Sequence, residues 1–381
     1  MMKSAKSVQS GSNAAPVLES RALNRALLAR QLLLSRAKLS ALEAIEHLLG
    51  LQAQSPYAPY FGLWTRLDCF RHEELSELIL SKRAVRLALM RSTLHLVSAS
   101  DGLSLRPWLQ PALERGLSGA YGKRTAGLDL DAVAAAGRAL TEEQPLTFDE
   151  LGKRLGERWP EREPAALEYT VRTYVPLVQV PPRGIWGAGG QAMHTPIETW
   201  LGRPLASDID SGKFLLRYLA AFGPAGVKDM QIWSGHTGLR EAVERLRPQL
   251  LVFHDENGNE LFDLEDAPRP DADMLAPVRF IAEYDNLLLS HADRTRIIAD
   301  KYRTRVLTKN GIVRSTVLVD GFVRGIWSIE RKKREPATLV IEAFEPISHE
   351  DQIALTDEGE QLLRFAAADA GSYDIRFVFE Q

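Results

Sequence analysis

The chain has 381 residues, 45% of them hydrophobic and 25% charged, which is ordinary for a globular protein and too long for a single compact core. No apolar run approaches the ~20 residues of a membrane span. The single cysteine, Cys69, excludes an internal disulfide and a Cys-rich zinc site, and a cytoplasmic setting is expected. The formal net charge of -3 conceals an asymmetry: residues 1–125 hold 17 Lys+Arg against 9 Asp+Glu, and the remainder holds 30 against 41. A basic first third on an acidic remainder fits a part that faces a polyanion such as nucleic acid. A chance fluctuation among solvated faces is the plain alternative.

In chain order, residues 1–18 carry Ser, Gly, Asn and two Lys but no apolar h-region. They read as a flexible tail rather than a signal peptide. Ser40 then caps a helix over residues 41–49 that stops at Gly50. Leu51-Gln52-Ala53-Gln54-Ser55-Pro56-Tyr57 follows, before the aromatics Tyr60, Phe61 and Trp64. If that segment is extended, alternation puts the amides of Gln52 and Gln54 on one side. A second helix is expected from about Glu73 to Leu80, then strand material over 84–97. Arg91 and His95 have the same parity and share a face if that strand runs unbroken.

The order repeats. Thr147 and Glu150 form a capping box, a helix spans Ala165 to Val175, and Leu177–Val180 with Gly184–Gly187 read as strands. His194-Thr195-Pro196 reads as a turn. The third copy has a short helix at Gly226–Gly235, a second at Leu239–Leu246, and strands around Leu250–Phe253 and Glu260–Phe262. The Asn257-Gly258 between those strands is a strong hairpin signal. Short helix, second helix, hairpin is the order of a winged helix-turn-helix.

The last hundred residues are β-branched and aromatic. Strands are expected at Val278–Ile281, Arg305–Leu307, Ile312–Val313, Ser315–Val319, Phe322–Ile329 and Ala337–Ile341. A helix from about Asp357 to Ala368, with Thr356 as N-cap, and a strand from Asp374 to Phe379 close the chain. Short strands at this spacing suggest a small β-barrel or curled sheet. The expected fold is α+β: three tandem winged helix-turn-helix units and a C-terminal small β-barrel. The expected divisions are a tail at 1–18, winged helices at 19–125, 126–205 and 206–272, and the barrel at 273–381.

Four segments carry a family resemblance: Leu51–Ser55, Arg91–Val97, Tyr284–Arg294 and Leu318–Trp327. Together they resemble the winged-helix DNA glycosylase superfamily that includes AlkZ and YcaQ of bacteria. The resemblance covers nearly the whole chain after the tail and implies a C-shaped body around duplex DNA. It also implies that Gln-apolar-Gln is the catalytic motif, here Gln52-Ala53-Gln54, as in the AlkZ-like branch. YcaQ-like members carry Asp at the third position.

A neutral amide pair suits a particular chemistry. A normal base leaves poorly and needs an acid, whereas an N7-alkylated purine is already cationic and leaves as a neutral base. The remaining task is to position a water within hydrogen-bond reach, ~2.6–3.2 Å. A glutamine carbonyl accepts from that water, and its amide donates to sugar or phosphate. No Lys or Pro lies within the motif as a Schiff-base nucleophile, so a monofunctional hydrolase is expected. The family comparison adds unhooking of interstrand crosslinks with limited base extrusion. No cofactor or metal is expected. The partner is double-stranded DNA carrying alkyl or crosslink lesions, without a membrane, and family analogy implies a nucleoid-associated bacterial monomer.

Each residue has a plain alternative. Gln52 and Gln54 can cap a helix end. Tyr57 can be core or a base-stacking platform, and Tyr60, Phe61 and Trp64 suit the core. Arg91 and His95 can contact phosphate, or His95 can sit satisfied in the core. His194 is a DNA contact or a turn residue. Asp285, Asn286, His291, Asp293 and Arg294 match no zinc spacing. Asp293 with Arg294 or nearby backbone suits a structural network, while Asn286 or His291 can face DNA. Arg331-Lys332-Lys333-Arg334 is a basic hairpin tip, a solvated turn or a phosphate contact. The competing function is a non-catalytic winged-helix protein, either a regulator or a lesion binder. The regulator reading lacks a dimerisation helix to match a palindromic operator.

Overall fold

The computed structural model describes residues 15–331 and 336–379. The chain opens with β1 (Val17–Leu18) and α1 (Ser20–Arg30), a helix buried along Leu23, Leu27 and Leu28. The end of the expected tail is therefore structured: β1 pairs in parallel with a later hairpin, Val17 opposite His254.

α2 (Ala41–His47) starts at Ser40 with a full capping box to Glu43. It ends through the left-handed residues Leu49 and Gly50 (φ 55° and 91°). Glycine is required at 50: a Cβ there would lie 2.5 Å from Val97 Cγ1 and 2.8 Å from the Leu96 carbonyl oxygen. β2 (Leu51–Gln52), α3 (Ala58–Trp64), α4 (His72–Leu80), β3 (Ala84–Ala88) and β4 (Leu94–Ser98) follow. The expected unbroken strand over 84–97 is in fact a hairpin. Arg91 and Ser92, both at φ 55°, reverse the chain, and Leu89 N–H donates to the Thr93 carbonyl at 3.0 Å.

α5 (Ala99–Trp108), α6 (Gln110–Tyr121) and α7 (Leu130–Glu143) lead to α8 (Phe148–Arg158), whose Thr147–Glu150 capping box is present. α9 (Pro164–Tyr174) precedes β5 (Leu177–Gln179) and β6 (His194–Pro196). The partner of β5 is thus residues 194–196 and not 184–187. Residues 184–187 form a turn pinned by Tyr60, whose hydroxyl donates to the Gly184 carbonyl at 2.8 Å and accepts from Trp186 N–H at 3.1 Å.

α10 (Ile197–Leu201), α11 (Ser211–Phe222), α12 (Val227–Ser234) and α13 (Arg240–Leu246) bring the chain to the β7 (Leu251–Asp255) and β8 (Glu260–Asp263) hairpin. That hairpin turns at Gly258, φ 78°, where Asn-Gly placed it. β9 (Arg279–Ile281) is followed by α14 (Asp300–Val306), so Arg305 and Val306 are helical rather than extended. β10 (Thr316–Val319), β11 (Phe322–Glu330), β12 (Ala337–Ala343), α15 (His349–Ala366) and β13 (Tyr373–Phe379) complete the described chain. α15 begins two turns earlier than expected, because Ser348 accepts from Asp351 N–H and is the true cap.

The described strands form three sheets, ordered β1-β7-β8, β2-β4-β3-β5-β6 and β13-β12-β11-β10-β9. The third is open, and the expected barrel is not present. Its edges are the three-residue β9 and β13, and β13 runs parallel to β12. A parallel partner needs a crossover, which α15 supplies. Leu355, Leu362 and Leu363 of that helix cover Phe280, Leu339 and Ile341, so the sheet buries its apolar face without closing. The same core includes Ile45, Tyr60 and Leu63, joining the region around residues 41–64 to the last hundred residues. No helix among the described residues is long and apolar enough to cross a membrane.

Candidate active site

β2 is the short edge strand of the second sheet, with Gln52 directly opposite His95 on β4. Ala53 N–H extends the ladder to the Leu94 carbonyl at 2.7 Å. Beyond Ala53 the chain turns. Gln52 is 6% exposed, whereas Gln54 reaches solvent. The two amides make different contacts: Gln54 Oε1 accepts from Leu94 N–H at 2.9 Å, and Gln52 Oε1 accepts from Arg91 Nη2 at 2.8 Å.

Arg91 is the hub. Its Nη1 donates to the Trp233 carbonyl and its Nη2 to Asn286 Oδ1, each at 2.8 Å. His95 Nε2 lies 3.4 Å from the same Nη2. That nitrogen carries two protons and faces three acceptors, so the long His95 contact is the weak one. Arg91 lies outside any strand, and the left-handed turn brings it to His95 by a route that parity did not foresee. Burial, then the charge of Arg294, pushes its pKa down to about 10, which still leaves it cationic at neutral pH. Asn286 Nδ2 donates to the Gly50 carbonyl at 3.3 Å and so ties the chain just before the motif to Arg91.

His95 is fully buried. Its pKa is pushed down to about 3 by burial and then by Arg91, so it is neutral. Nδ1–H donates to the Thr93 carbonyl at 3.1 Å, which leaves Nε2 as an acceptor facing Arg91. In this conformation His95 is interior and supports Arg91 rather than facing a DNA surface. Asn286, His194 and His291 are likewise interior, at 3%, 4% and 2% exposure. His194 stacks on Phe148, and burial lowers its pKa to about 4. His291 Nε2 bonds the Phe222 carbonyl at 3.0 Å. Each of the four is buried and bonds at least one protein group.

Two arginines not singled out from sequence complete the site. Arg66 Nη1 and Nη2 donate to the two oxygens of Asp285 at 2.8 and 2.9 Å, with both side chains buried. Asp285 also accepts from Leu287 N–H and so fixes the turn that carries Asn286. Arg86, 2% exposed, donates through Nη2 to the Ala53 carbonyl at 2.9 Å, at the centre of the motif. Its Nε and Nη1 have no hydrogen-bond partner among the described residues. A charged residue inside the otherwise apolar Ala84–Ala88 was the signal in the sequence.

Tyr57 lines a cleft of about 600 Å³ with Phe61, His72, Trp186 and Phe365, its ring 4.9 Å from that of Trp186. Tyr60 and Trp64 are core residues. Arg331 is exposed at the rim of this cleft and pairs with Asp369 at 2.9 Å. Lys332, Lys333 and Arg334 lie outside the described residues. Asp293 bonds Thr295 rather than Arg294. No cluster of metal-ligating side chains occurs among the described residues.

Two comparisons bear on this geometry. The family model described as "DNA glycosylase AlkZ-like" matches residues 45–365. Among solved structures, Streptomyces sahachiroi DNA glycosylase AlkZ is similar with a TM-score of 0.77 at 20% identity, covering 95% of this chain and 100% of that one. A search of curated proteins gave no match.

Proposed function

We propose, since the chain belongs to the AlkZ-like DNA glycosylase family, that this DNA glycosylase hydrolyses the N-glycosidic bond of bulky or crosslinked N7-alkylated purines, with Gln52 and Gln54 handling the water and the sugar. The observation that carries the reading is the anchoring of Gln52: its carbonyl is bound by Arg91, which Asn286 and the Trp233 carbonyl hold in turn. A carbonyl oxygen has two acceptor sites. Each Oε1 therefore keeps one for a substrate or water after its protein contact. Gln54, exposed just beyond β2, accepts a hydrogen bond from the attacking water, whose proton passes to solvent. Gln52 Nε2, without a hydrogen-bond partner among the described residues, donates to a sugar or phosphate oxygen. The adjacent guanidinium polarises the Gln52 amide and strengthens that donor.

Neither amide protonates a leaving group, and His95 is neutral and buried. The site thus lacks a general acid among these residues and favours a base that departs without one, as a cationic N7-alkylpurine does. The three helix–helix–strand segments, read as tandem winged helices in a C-shaped body, would hold the duplex with limited extrusion of a tethered base. The divisions for this reading are 19–125, 126–205, 206–272 and 273–381. The test is a panel of N3-alkyladenine, N7-alkylguanine and interstrand-crosslinked duplexes, scored for abasic sites with wild type, Gln52→Ala and Gln54→Ala. Release of N7 adducts and unhooking by wild type, lost in the variants with DNA binding retained, is expected. Cleavage unchanged in both variants, or activity on N3-alkyladenine alone, refutes it.

A further inference from the structure

A cleft of about 700 Å³ lies away from the glutamine motif, between the start of α12, the β7–β8 hairpin, the 292–296 loop and α14. Four of its five basic residues, Lys228, Arg294, Arg296 and Arg303, form no ion pair among the described residues. Arg294 is half-buried, and its Nε is buried with no hydrogen-bond partner. Arg303, one α14 turn from the mouth, is exposed and forms no ion pair among the described residues.

Five of the six carboxylates in the wall already bond protein groups, Asp300 being the exception. Asp229 accepts from Gly226 N–H and Ala292 N–H at 2.9 and 2.8 Å. Asp293 takes Thr295, and Glu260 takes Arg247. Asp300 stands in the first turn of α14, where the helix dipole favours it. Arg294 feels burial and the like charge of Arg303, and Arg91 in turn feels Arg294. Three guanidiniums thus run in one field from Gln52 to the cleft, none of them neutralised by a carboxylate. A desolvated, unpaired guanidinium is unfavourable until an anion arrives.

We propose that Arg294 and Arg303 in this cleft bind backbone phosphates of the DNA strand flanking the lesion, extending the contact surface away from the glutamine motif. The inference rests on the glycosylase reading for its ligand. An arginine fork matches a phosphodiester in two parallel bonds, and such contacts fix register without reading sequence.

The full chain carrying Arg303→Gln, Arg303→Lys or Arg294→Met is titrated with an undamaged duplex across salt concentrations, with thermal melting as a fold check. Arg303→Gln is expected to lower the salt slope of binding by about 1. It should weaken affinity about tenfold at low salt. Arg303→Lys keeps the slope. A wild-type slope in Arg303→Gln overturns the proposal even if Arg294→Met fails to fold. Inorganic phosphate is titrated in parallel. Saturation by it at low millimolar concentration, with DNA slopes unaltered, identifies a free-phosphate site and also overturns the proposal. Undamaged DNA needs no chemistry, so loss of slope in a protein that releases no base sinks the catalytic reading and leaves this one standing.

Discussion

Replacing Arg91 by Met tests the hub directly. The substitution keeps an unbranched chain at a left-handed position and removes three hydrogen bonds of 2.8 Å, to Trp233, Gln52 and Asn286. Bonds from a charged donor contribute about 1.5–3 kcal/mol each, a gross loss of roughly 4–9 kcal/mol. Burial of the guanidinium offsets part of this. Burial pushes its pKa down to about 10, which at ~1.4 kcal/mol per unit is about 3 kcal/mol. A net destabilisation of roughly 1–6 kcal/mol is expected in urea unfolding, a sizeable part of a typical ~5–15 kcal/mol. Base release in single turnover should fall as well, since Gln52 loses its anchor. The specific check is a cycle with Gln52→Ala, where coupling of about 1–3 kcal/mol is expected for groups in contact. Additivity within ~0.5 kcal/mol in both stability and rate refutes the view that Arg91 positions Gln52.

Three further outcomes are expected. Acid should destabilise the fold through histidines buried in the neutral form: the His95 and His194 pKa values fall to about 3 and about 4, so the unfolded chain binds more protons once pH drops below the ordinary 6.5. At pH 5 each then costs roughly 2 kcal/mol, and a melting temperature unchanged between pH 7 and pH 5 would count against this. Gly50→Ala should destabilise by about 2–4 kcal/mol through the φ of 91° and the 2.5 Å approach to Val97, and near-wild-type urea unfolding would show that the loop relaxes freely. Asp285→Ala should cost about 3–5 kcal/mol by stranding the buried Arg66, and a loss under ~1 kcal/mol would mean that water replaces the carboxylate.

Local signals in the sequence carried well. Ser40 and Thr147 with their glutamates, and Asn257-Gly258, each specify a conformation within a few residues, and each is realised. Misreadings arose where tertiary structure outvotes propensity. Val306 is β-branched yet helical because α14 buries it against the interior. The barrel was inferred from strand spacing, but spacing does not reveal that α15 seals one face. Within the site, Gln52, Arg91 and Asn286 were all named from sequence, and their contact was not. A pairing between residues 39 and 195 positions apart leaves no periodic trace. The partners of Arg86 and Arg66, a backbone carbonyl and a carboxylate, lie 33 and 219 positions away and leave no local pattern.

The bridge from Gly50 to Asn286 has a consequence for biosynthesis. The motif leaves the ribosome early, but Trp233 and Asn286, which hold Arg91, and Asp285, which orders the Asn286 turn, emerge some two hundred residues later. At ~5–20 residues per second, Gln52 spends tens of seconds without its support. The nascent chain therefore carries the glutamines but not the assembled site. On the proposed role of the glutamines, catalytic competence arrives late in synthesis, after the segment that closes the hub has been made.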